Sequence, residues 1–217
     1  MGCKTGQRSC AQHFVIFLLT VCLPSSRSRC MNDTKSHILD VAEDLIQRVG
    51  LNAMSYKHIS DAVGIRKASI HHHFPQKKDM VDALLNRCEI SYGSKYREIV
   101  DGSGRAPEKL RRLATVFEEG VVSGKLCLVG MISSDFETLE DNSCKILEQT
   151  LQKTLDIFSI VFKQGREEKS LAFDGTNKEA AYTFFSFLVG AQIAARVKGG
   201  TEAFQAATEL IISSWET

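Results

Sequence analysis

Residues 55–78 constrain the fold most strongly, because two short helical patterns meet there at a glycine. Ser55 is a suitable N-cap for the first pattern, and the apolar residue Ile59 lies on its inner face. Gly64 is expected to end this helix, and a second short helix is predicted from Lys67 to Phe74. Two helices joined by a short glycine turn form a helix-turn-helix, in which the second helix typically enters the major groove of DNA.

Charge supports this interpretation locally, although the whole chain gives no sign of it. The formal net charge is only +1, and 43% hydrophobic with 24% charged residues is ordinary for a globular protein. Residues 55–78, however, carry five basic residues against one acidic residue, Asp61. A solvated surface could have the same composition. The position of the basic residues around the turn and the second helix favours a nucleic-acid partner.

Three consecutive histidines, His71–His73, raise the possibility of a metal or catalytic site. On a helix, successive side chains point about 100° apart, so all three cannot converge on one ion. No orienting carboxylate or nucleophile is recognisable nearby. We expect no metal, no cofactor and no enzymatic activity. His71 and His72 are expected to contact DNA, whereas His73 either does so or packs against the first helix.

The chain after residue 30 has a helical pattern almost throughout, with no strand pattern, which predicts an all-α fold. Residues 31–80 are expected to form a three-helix DNA-binding domain, and residues 81–217 a second helical domain. Within the second domain, Thr176 and Glu179 have the spacing of a capping box. Gly199 and Gly200 are expected to separate the last two helices.

Residues 1–30 differ from the rest and contain four of the seven cysteines. Their short apolar run resembles a signal peptide, but it is shorter than the roughly 20 residues of a membrane span. The alternative is that Met31 is the true start and that this leader is disordered or mis-assigned. We favour the second interpretation, because the later cysteines have no paired or metal-ligand spacing and suit a reducing cytoplasm. A secreted or membrane-anchored protein would instead show leader cleavage and oxidised cysteines.

Residues 38–84 resemble the helix-turn-helix of the TetR/AcrR family of transcriptional regulators, through the stretch SYKHISDAVGIRKASIHHHFPQKKDMVDAL. The sequence departs from the family pattern at Ala68, where glycine is common, and at Ile70-His71, where Leu-Tyr is common. The resemblance implies a homodimeric repressor on a palindromic double-stranded DNA operator, released by a small-molecule effector or an electrophile. It also implies a cytoplasmic protein without a membrane partner.

The resemblance also implies which residues bind DNA. Residues at the start of the second helix would face base edges or nearby phosphates. Lys77 would hold a phosphate, and the residues opening the first helix would lie at the phosphate backbone. Ile70 and Phe74 would instead anchor the recognition helix in the core. The complete predicted set is Ser55, Tyr56, Arg66, Lys67, Ala68, Ser69, His71, His72 and Lys77.

Residues 123–207 look like the ligand-binding and dimerisation domain of the branch that contains NemR- and AcuR-type repressors. The resemblance implies dimerisation through the last two helices. Large side chains on the helical faces could line a ligand pocket or simply form core. The candidates are Phe117, Cys127, Met131, Phe136, Phe158, Phe162, Tyr182 and Phe185. Cys127 could be a thiol sensor, because Lys125 would lower its pKa, although its apolar neighbours would raise it.

Overall fold

The computed structural model describes the backbone of residues 26–217 and the side chains of residues 33–217. This part of the chain contains nine α-helices, one 3₁₀ turn at Phe136–Thr138 and no β-strand, so the all-α prediction is confirmed. The helices are α1 Ser26–Val49, α2 Tyr56–Val63, α3 Lys67–His73, α4 Lys77–Asp101, α5 Ala106–Val122, α6 Leu128–Ser133, α7 Asp141–Glu167, α8 Asn177–Val197 and α9 Gly200–Ser213.

The helix-turn-helix forms as predicted, from α2, a short turn and α3. Ser55 Oγ accepts a hydrogen bond from the His58 N–H at 3.3 Å, which caps α2. Gly64 ends α2 in the left-handed region, with φ of 74°, where a side chain would be strained. Ile70 on α3 is fully buried and packs in the same core as Ile59 of α2. This core fixes the angle at which α3 projects from the domain.

Two of the expected domain limits do not coincide with helix ends. Helix α1 begins at Ser26, so residues 26–30 continue that helix, and the rest of the predicted leader lies outside the described residues. The expected limit at residue 80 falls inside α4, which runs unbroken to Asp101. One continuous helix is therefore shared by the helix-turn-helix region and the region that follows it.

The second region is a bundle in which α4 packs along α7, α7 packs on α8, and α5 packs against both α8 and α9. Its core is strongly aromatic. Phe162 and Phe184 are fully buried and contact Trp215 edge to face, with ring centroids 5.4 and 6.0 Å away. The predicted capping box opens α8, where Thr176 and Glu179 each accept a backbone hydrogen bond.

By length and composition alone, α8 is apolar enough to span a membrane. The core helix of a globular protein can satisfy the same criterion, and α8 buries Phe184 and Leu188 against its neighbours. It also buries the amide of Gln192, which is hydrogen-bonded to the α5 backbone. The apolar character of α8 is therefore explained in part by intramolecular packing.

Candidate nucleic-acid interface and cavity

The outer surface of α3 and its preceding residue presents six exposed side chains, which we call the recognition face. They are Arg66, Lys67, Ala68, Ser69, His71 and His72. Arg66 and Lys67 form no ion pair within the described residues, in contrast to Lys57 on α2, whose ammonium lies 2.6 Å from Asp61. The recognition face therefore holds two unpaired cations at the N-terminal end of a helix anchored by buried Ile70. Such a face can donate to phosphates and to base edges.

The three histidines do not converge on one site: His72 and His73 pack edge to face, with ring centroids 5.4 Å apart, whereas His71 faces another residue. His71 packs edge to face against Tyr56, with ring centroids 4.8 Å apart, and its Nδ1 lies 3.3 Å from the Pro75 carbonyl oxygen. His73 is half-buried, and burial together with His72 and Lys35 lowers its pKa. Over residues 33–217 no group of three or more His, Cys, Asp or Glu side chains is arranged to hold a metal ion.

Tyr56, which was expected at the phosphate backbone, makes a hydrogen bond inside the protein. Its side chain is buried, and its hydroxyl donates a hydrogen bond to the Phe74 carbonyl at 2.9 Å. Burial raises the pKa of Tyr56 to about 12, so the phenol keeps its proton at neutral pH. Tyr56 thus ties the end of α3 to the start of α2, which gives it a structural role. Its contact with the phosphate backbone stays a prediction.

Lys77, which was expected to hold a phosphate, also makes hydrogen bonds inside the protein. Its ammonium donates to the carbonyls of Leu51 and Met54, at 2.6 and 2.9 Å. Lys77 is half-buried, and burial lowers its pKa. The side chain closes the loop between α1 and α2 onto the start of α4. Its hydrogen-bonding capacity is largely used inside the protein.

Replacing Lys77 with methionine should lower the thermal stability of the protein while leaving the salt dependence of DNA binding unchanged. The carbonyls of Leu51 and Met54 would lose their buried partner, at a cost of about 1–3 kcal/mol. Lys78→Met is the matched control, because Lys78 forms no ion pair within the described residues. If Lys78 contacts a phosphate, its loss lowers the slope of log K against log salt by about 1. A reduced slope for Lys77→Met would instead indicate that Lys77 contacts a phosphate.

A cavity of about 370 Å³ lies where α1, α4, α5, α7 and α8 meet. Of the eight predicted pocket residues, only Phe117, Cys127 and Phe185 line it. The other five lie elsewhere. Phe158 and Phe162 are fully buried in the aromatic core, Met131 lies beside Gly50, and Phe136 and Tyr182 are 40% and 58% exposed. The sequence therefore identified large side chains on the helical faces, but it did not show which of them line the cavity.

Several cavity residues escaped the sequence analysis. Cys88, Tyr92 and Tyr96 recur at four-residue intervals on α4 and share the helical face that lines the cavity. Thr150 and Thr154 face it from α7 at the same spacing. This mixture of hydroxyl and thiol groups along an apolar stripe is a signal that could have identified the cavity-lining faces.

Cys127 lies in the cavity wall, but Lys125 does not activate it. The Lys125 ammonium pairs with Asp44 at 2.8 Å. Burial raises the pKa of the Cys127 thiol, although backbone N–H groups of Gly130 and Val129 oppose this rise. Burial also raises the pKa of Cys88. Both thiols are free and favour the protonated form, which is the less reactive one.

The far end of α1 is tied to the second region through Arg196 of α8. The Arg196 guanidinium donates to the carbonyls of Gln47, Arg48 and Gly124, at 3.0, 3.2 and 2.9 Å. Two of these carbonyls belong to the last turn of α1, where carbonyl groups have no hydrogen-bond donor within the helix. The Leu126 N–H donates to the same Gln47 carbonyl at 3.0 Å. These hydrogen bonds link α8 and the segment after α5 to the last turn of α1.

The sequence matches the model of the bacterial regulatory proteins of the tetR family over residues 38–84. It is also 23% identical over 177 residues to the HTH-type transcriptional repressor NemR of Escherichia coli K12, covering 79% of this chain and 88% of NemR. The fold matches a TetR-family regulator from Agrobacterium tumefaciens with a TM-score of 0.81 and 28% identity, covering 86% of this chain and 100% of the other.

This chain belongs to the TetR family of transcriptional regulators. A TetR regulator from Legionella pneumophila has the same fold, with a TM-score of 0.75 and 27% identity over 84% of this chain and 97% of the other. The match to NemR is much longer than the helix-turn-helix and therefore continues into the second region. As a TetR-family protein the chain is a DNA-binding transcriptional regulator. The expectation that it is not an enzyme agrees with this membership.

Proposed function

We propose that this TetR-family protein is a homodimeric repressor that binds a palindromic operator and is released by a small molecule in the cavity. The recognition face of α3 carries the proposal, because Arg66 and Lys67 are exposed there and form no ion pair with any residue whose side chain is described. Buried Ile70 anchors the helix in the core. Two such helices related by a twofold axis would occupy successive major grooves. The protein would act in the cytoplasm, where DNA is accessible to it.

In the proposed complex, the first residues of α3 supply sequence recognition. Arg66 and Lys67 can donate to O6 and N7 of guanine, and the methyl group of Ala68 suits the methyl group of thymine. Ser69 can either donate or accept. His71 and His72 would contact bases or the adjacent backbone from the exposed side of the helix. The remaining polar contact at the phosphate backbone would come from the start of α2, near Ser55.

We propose that the dimer forms through α8 and α9. One stripe of α8 is exposed and consists of apolar or small residues, namely Tyr182, Ser186, Gly190, Ile193 and Val197. Val197 is 84% exposed, and Leu210 on α9 is 74% exposed. Large exposed apolar side chains on adjacent helices are typical of an association surface. Small residues between them allow two helices to approach closely.

The cavity suits a releasing ligand because its walls come from both functional regions. Asp40 and Gln47 of α1 face it from the DNA-binding side, and Phe117 and Phe185 face it from the bundle. A ligand that widens the cavity would displace α1 relative to α8 and change the separation of the two recognition helices. Release then reflects a higher ligand affinity of the free form than of the DNA-bound form.

Electrophile sensing at Cys127 is a second candidate mechanism of release. Hydrogen bonds from the Gly130 and Val129 N–H groups favour its thiolate and support this candidate. Burial acts in the opposite direction and is the larger influence on its pKa. We therefore favour a reversibly bound ligand. Release by a non-electrophilic ligand in a Cys127→Ser variant would support this preference.

Arg196→Gln is expected to weaken binding to a palindromic operator by about threefold to tenfold, in line with the coupling energies of such links. Without the guanidinium, the last turn of α1 is no longer held against α8, and the two recognition helices lose their fixed separation. Binding to a single half-site should change little. Lys198→Gln is the matched control, since Lys198 is exposed and makes no ion pair within residues 33–217. Equal losses on both DNAs would exclude a coupling role for Arg196.

Selection of binding sites from a random DNA pool tests the proposed function. We expect enrichment of a palindrome whose half-sites are centred about one helical turn, ~34 Å, apart, since the two recognition helices must reach successive grooves. Enrichment of a single, non-repeated element would contradict a twofold-symmetric dimer. Failure to enrich any sequence would contradict sequence-specific recognition by α3.

A further inference from the structure

Tyr96 has a hydroxyl group with no hydrogen-bond partner among residues 33–217, although its side chain is 5% exposed. Its ring stacks on Phe117 at an angle of 12° and meets Phe158 edge to face. The groups that influence its phenol electrostatically are Cys127, Cys88 and Tyr92, which all line the cavity. Tyr96 itself lines the cavity, so its hydroxyl is open to a molecule bound there and can donate a hydrogen bond to it.

The Tyr96 phenol is a hydrogen-bond donor under physiological conditions. Burial raises its pKa well above the ordinary tyrosine value, so it retains its proton. Tyr92 adds a second phenol, whose oxygen accepts from the Gln47 amide at 3.4 Å, which leaves the Tyr92 proton free. Two phenol hydroxyls on adjacent turns of α4 can thus donate hydrogen bonds, which favours a ligand that carries an acceptor atom.

The charged residues of the cavity are paired with one another. Arg87 lies 2.6 Å from Asp40 and 2.5 Å from Glu43, which closes one side between α4 and α1. Lys125 lies 2.8 Å from Asp44, and Lys95 lies 3.5 Å from Glu119. Every cation that lines the cavity therefore has an acidic partner. A charged ligand would lose its hydration without gaining an unpaired countercharge.

The remaining walls are apolar or neutral. Phe117, Phe185, Leu128 and Val129 supply apolar surface, and the volume of about 370 Å³ is at the small end of ligand pockets. The hydroxyl groups of Thr150 and Thr154 donate to carbonyls one turn earlier in α7, so they offer only lone pairs to the cavity. The body of the ligand must therefore be mostly apolar and of modest size.

We propose that the cavity binds an uncharged, mainly apolar molecule whose carbonyl or ether oxygen accepts a hydrogen bond from the Tyr96 hydroxyl. This assignment adds a ligand class to the proposed function. It rests on that function only in treating the ligand as the signal that releases the repressor from DNA. Tyr96 acts in it as the residue that orients the polar end of the ligand. Because the charged side chains of the cavity are already paired, the binding of both anionic and cationic ligands is disfavoured.

Thermal shift and equilibrium dialysis of the full chain test the proposal with four naphthalene probes of similar shape. They are 2-acetylnaphthalene, 2-ethylnaphthalene, 2-naphthoate and 1-(2-naphthyl)ethylammonium, and the corresponding benzene series repeats the comparison at smaller size. We expect the ketones to bind most tightly, the hydrocarbons more weakly, and the two charged probes not measurably. Tight binding of a charged probe, or no binding of any ketone, would overturn the proposal.

Tyr96→Phe isolates the hydroxyl, because it keeps the ring that packs on Phe117. It should weaken ketone binding about threefold to tenfold, the usual value of one neutral hydrogen bond, and leave hydrocarbon binding unchanged. The hydrocarbon probe is the matched control, because 2-ethylnaphthalene has no acceptor atom for the hydroxyl. Equal ketone affinity in wild type and Tyr96→Phe would overturn the role of Tyr96.

The ligand test and the DNA test can fail independently. Thermal shift and dialysis contain no DNA, so ketone binding by a protein that fails to recognise any operator would contradict only the proposed function. If the protein recognises an operator but binds only charged probes, the ligand class is wrong and the repressor assignment stands. Comparison of ketone with hydrocarbon in the wild type also remains decisive if Tyr96→Phe does not fold.

Discussion

Replacing Gly190 with arginine is expected to convert the dimer into a monomer and to lower operator affinity by about a hundredfold or more. Gly190 lies in the exposed stripe of α8, one turn from Ile193, and a Cβ atom built there meets no atom within 4 Å outside its chain neighbours and the backbone of its own helix. Arginine is therefore accommodated in the monomer, and it favours a helix more than glycine does. In the dimer its guanidinium would be buried in an apolar interface without a partner. Loss of the second subunit removes the avidity of two half-sites.

Gly93→Arg provides the control for this change. Gly93 lies within α4, has open space around its Cβ position and is outside the proposed dimer surface. Light scattering coupled to gel filtration gives the mass of each variant, and fluorescence anisotropy gives its affinity for DNA. We expect Gly93→Arg to remain dimeric. A dimeric Gly190→Arg with unchanged DNA affinity would contradict dimerisation through α8.

Replacing Lys67 with alanine should reduce discrimination between the operator and random DNA by about fivefold to a hundredfold per half-site. Lys67 is the first residue of α3, is exposed and has no acidic partner within the described residues. The N-terminal residues of a recognition helix contact base edges, and one good contact to guanine contributes about 1–3 kcal/mol of discrimination. Affinity for random DNA should fall much less.

Lys57→Ala is the control for Lys67→Ala, because it removes the same charge from the neighbouring helix. Lys57 is exposed but already pairs with Asp61. We expect it to reduce affinity slightly and equally for all sequences. Competition of each variant between selected and random duplexes measures discrimination directly. Equal losses on both duplexes for Lys67→Ala would show that Lys67 contacts only phosphate.

The helix-turn-helix was predictable because its signals are local in sequence. Ser55 caps α2 through its own first turn, and Gly64 ends the helix through its own backbone conformation. The burial of Ile70 and Phe74 follows from their four-residue spacing on one face of a short helix. The family pattern added the function, since spacing alone does not distinguish a DNA-binding helix from any other amphipathic helix.

The roles of Tyr56 and Lys77 were not predictable from the same signals. Each side chain donates to a carbonyl 18 or more residues away, so its partner is fixed by tertiary packing. A polar residue beside a DNA-binding helix looks the same in sequence whether it donates to phosphate or to a loop carbonyl. The family resemblance could not correct this, because it suggests positions rather than hydrogen-bond partners.

The cavity was the least predictable feature, for a related reason. Phe158 and Phe185 both lie on apolar helical faces, yet only Phe185 borders open space. The difference depends on the rotation and separation of α4, α5, α7 and α8, which are set by their mutual packing. The periodicity of apolar residues identifies which face of a helix is buried. It does not show where the buried faces of neighbouring helices leave a cavity between them.

Binding of the purified chain to DNA flanking its own gene tests the central claim most directly. Fluorescence anisotropy at two salt concentrations, with random duplex as competitor, gives affinity, salt dependence and specificity together. The account predicts tight binding of two subunits per site that weakens steeply with salt and resists the competitor. If binding sites selected from a random pool also fail to be bound more tightly than random duplex, sequence-specific recognition through α3 is contradicted.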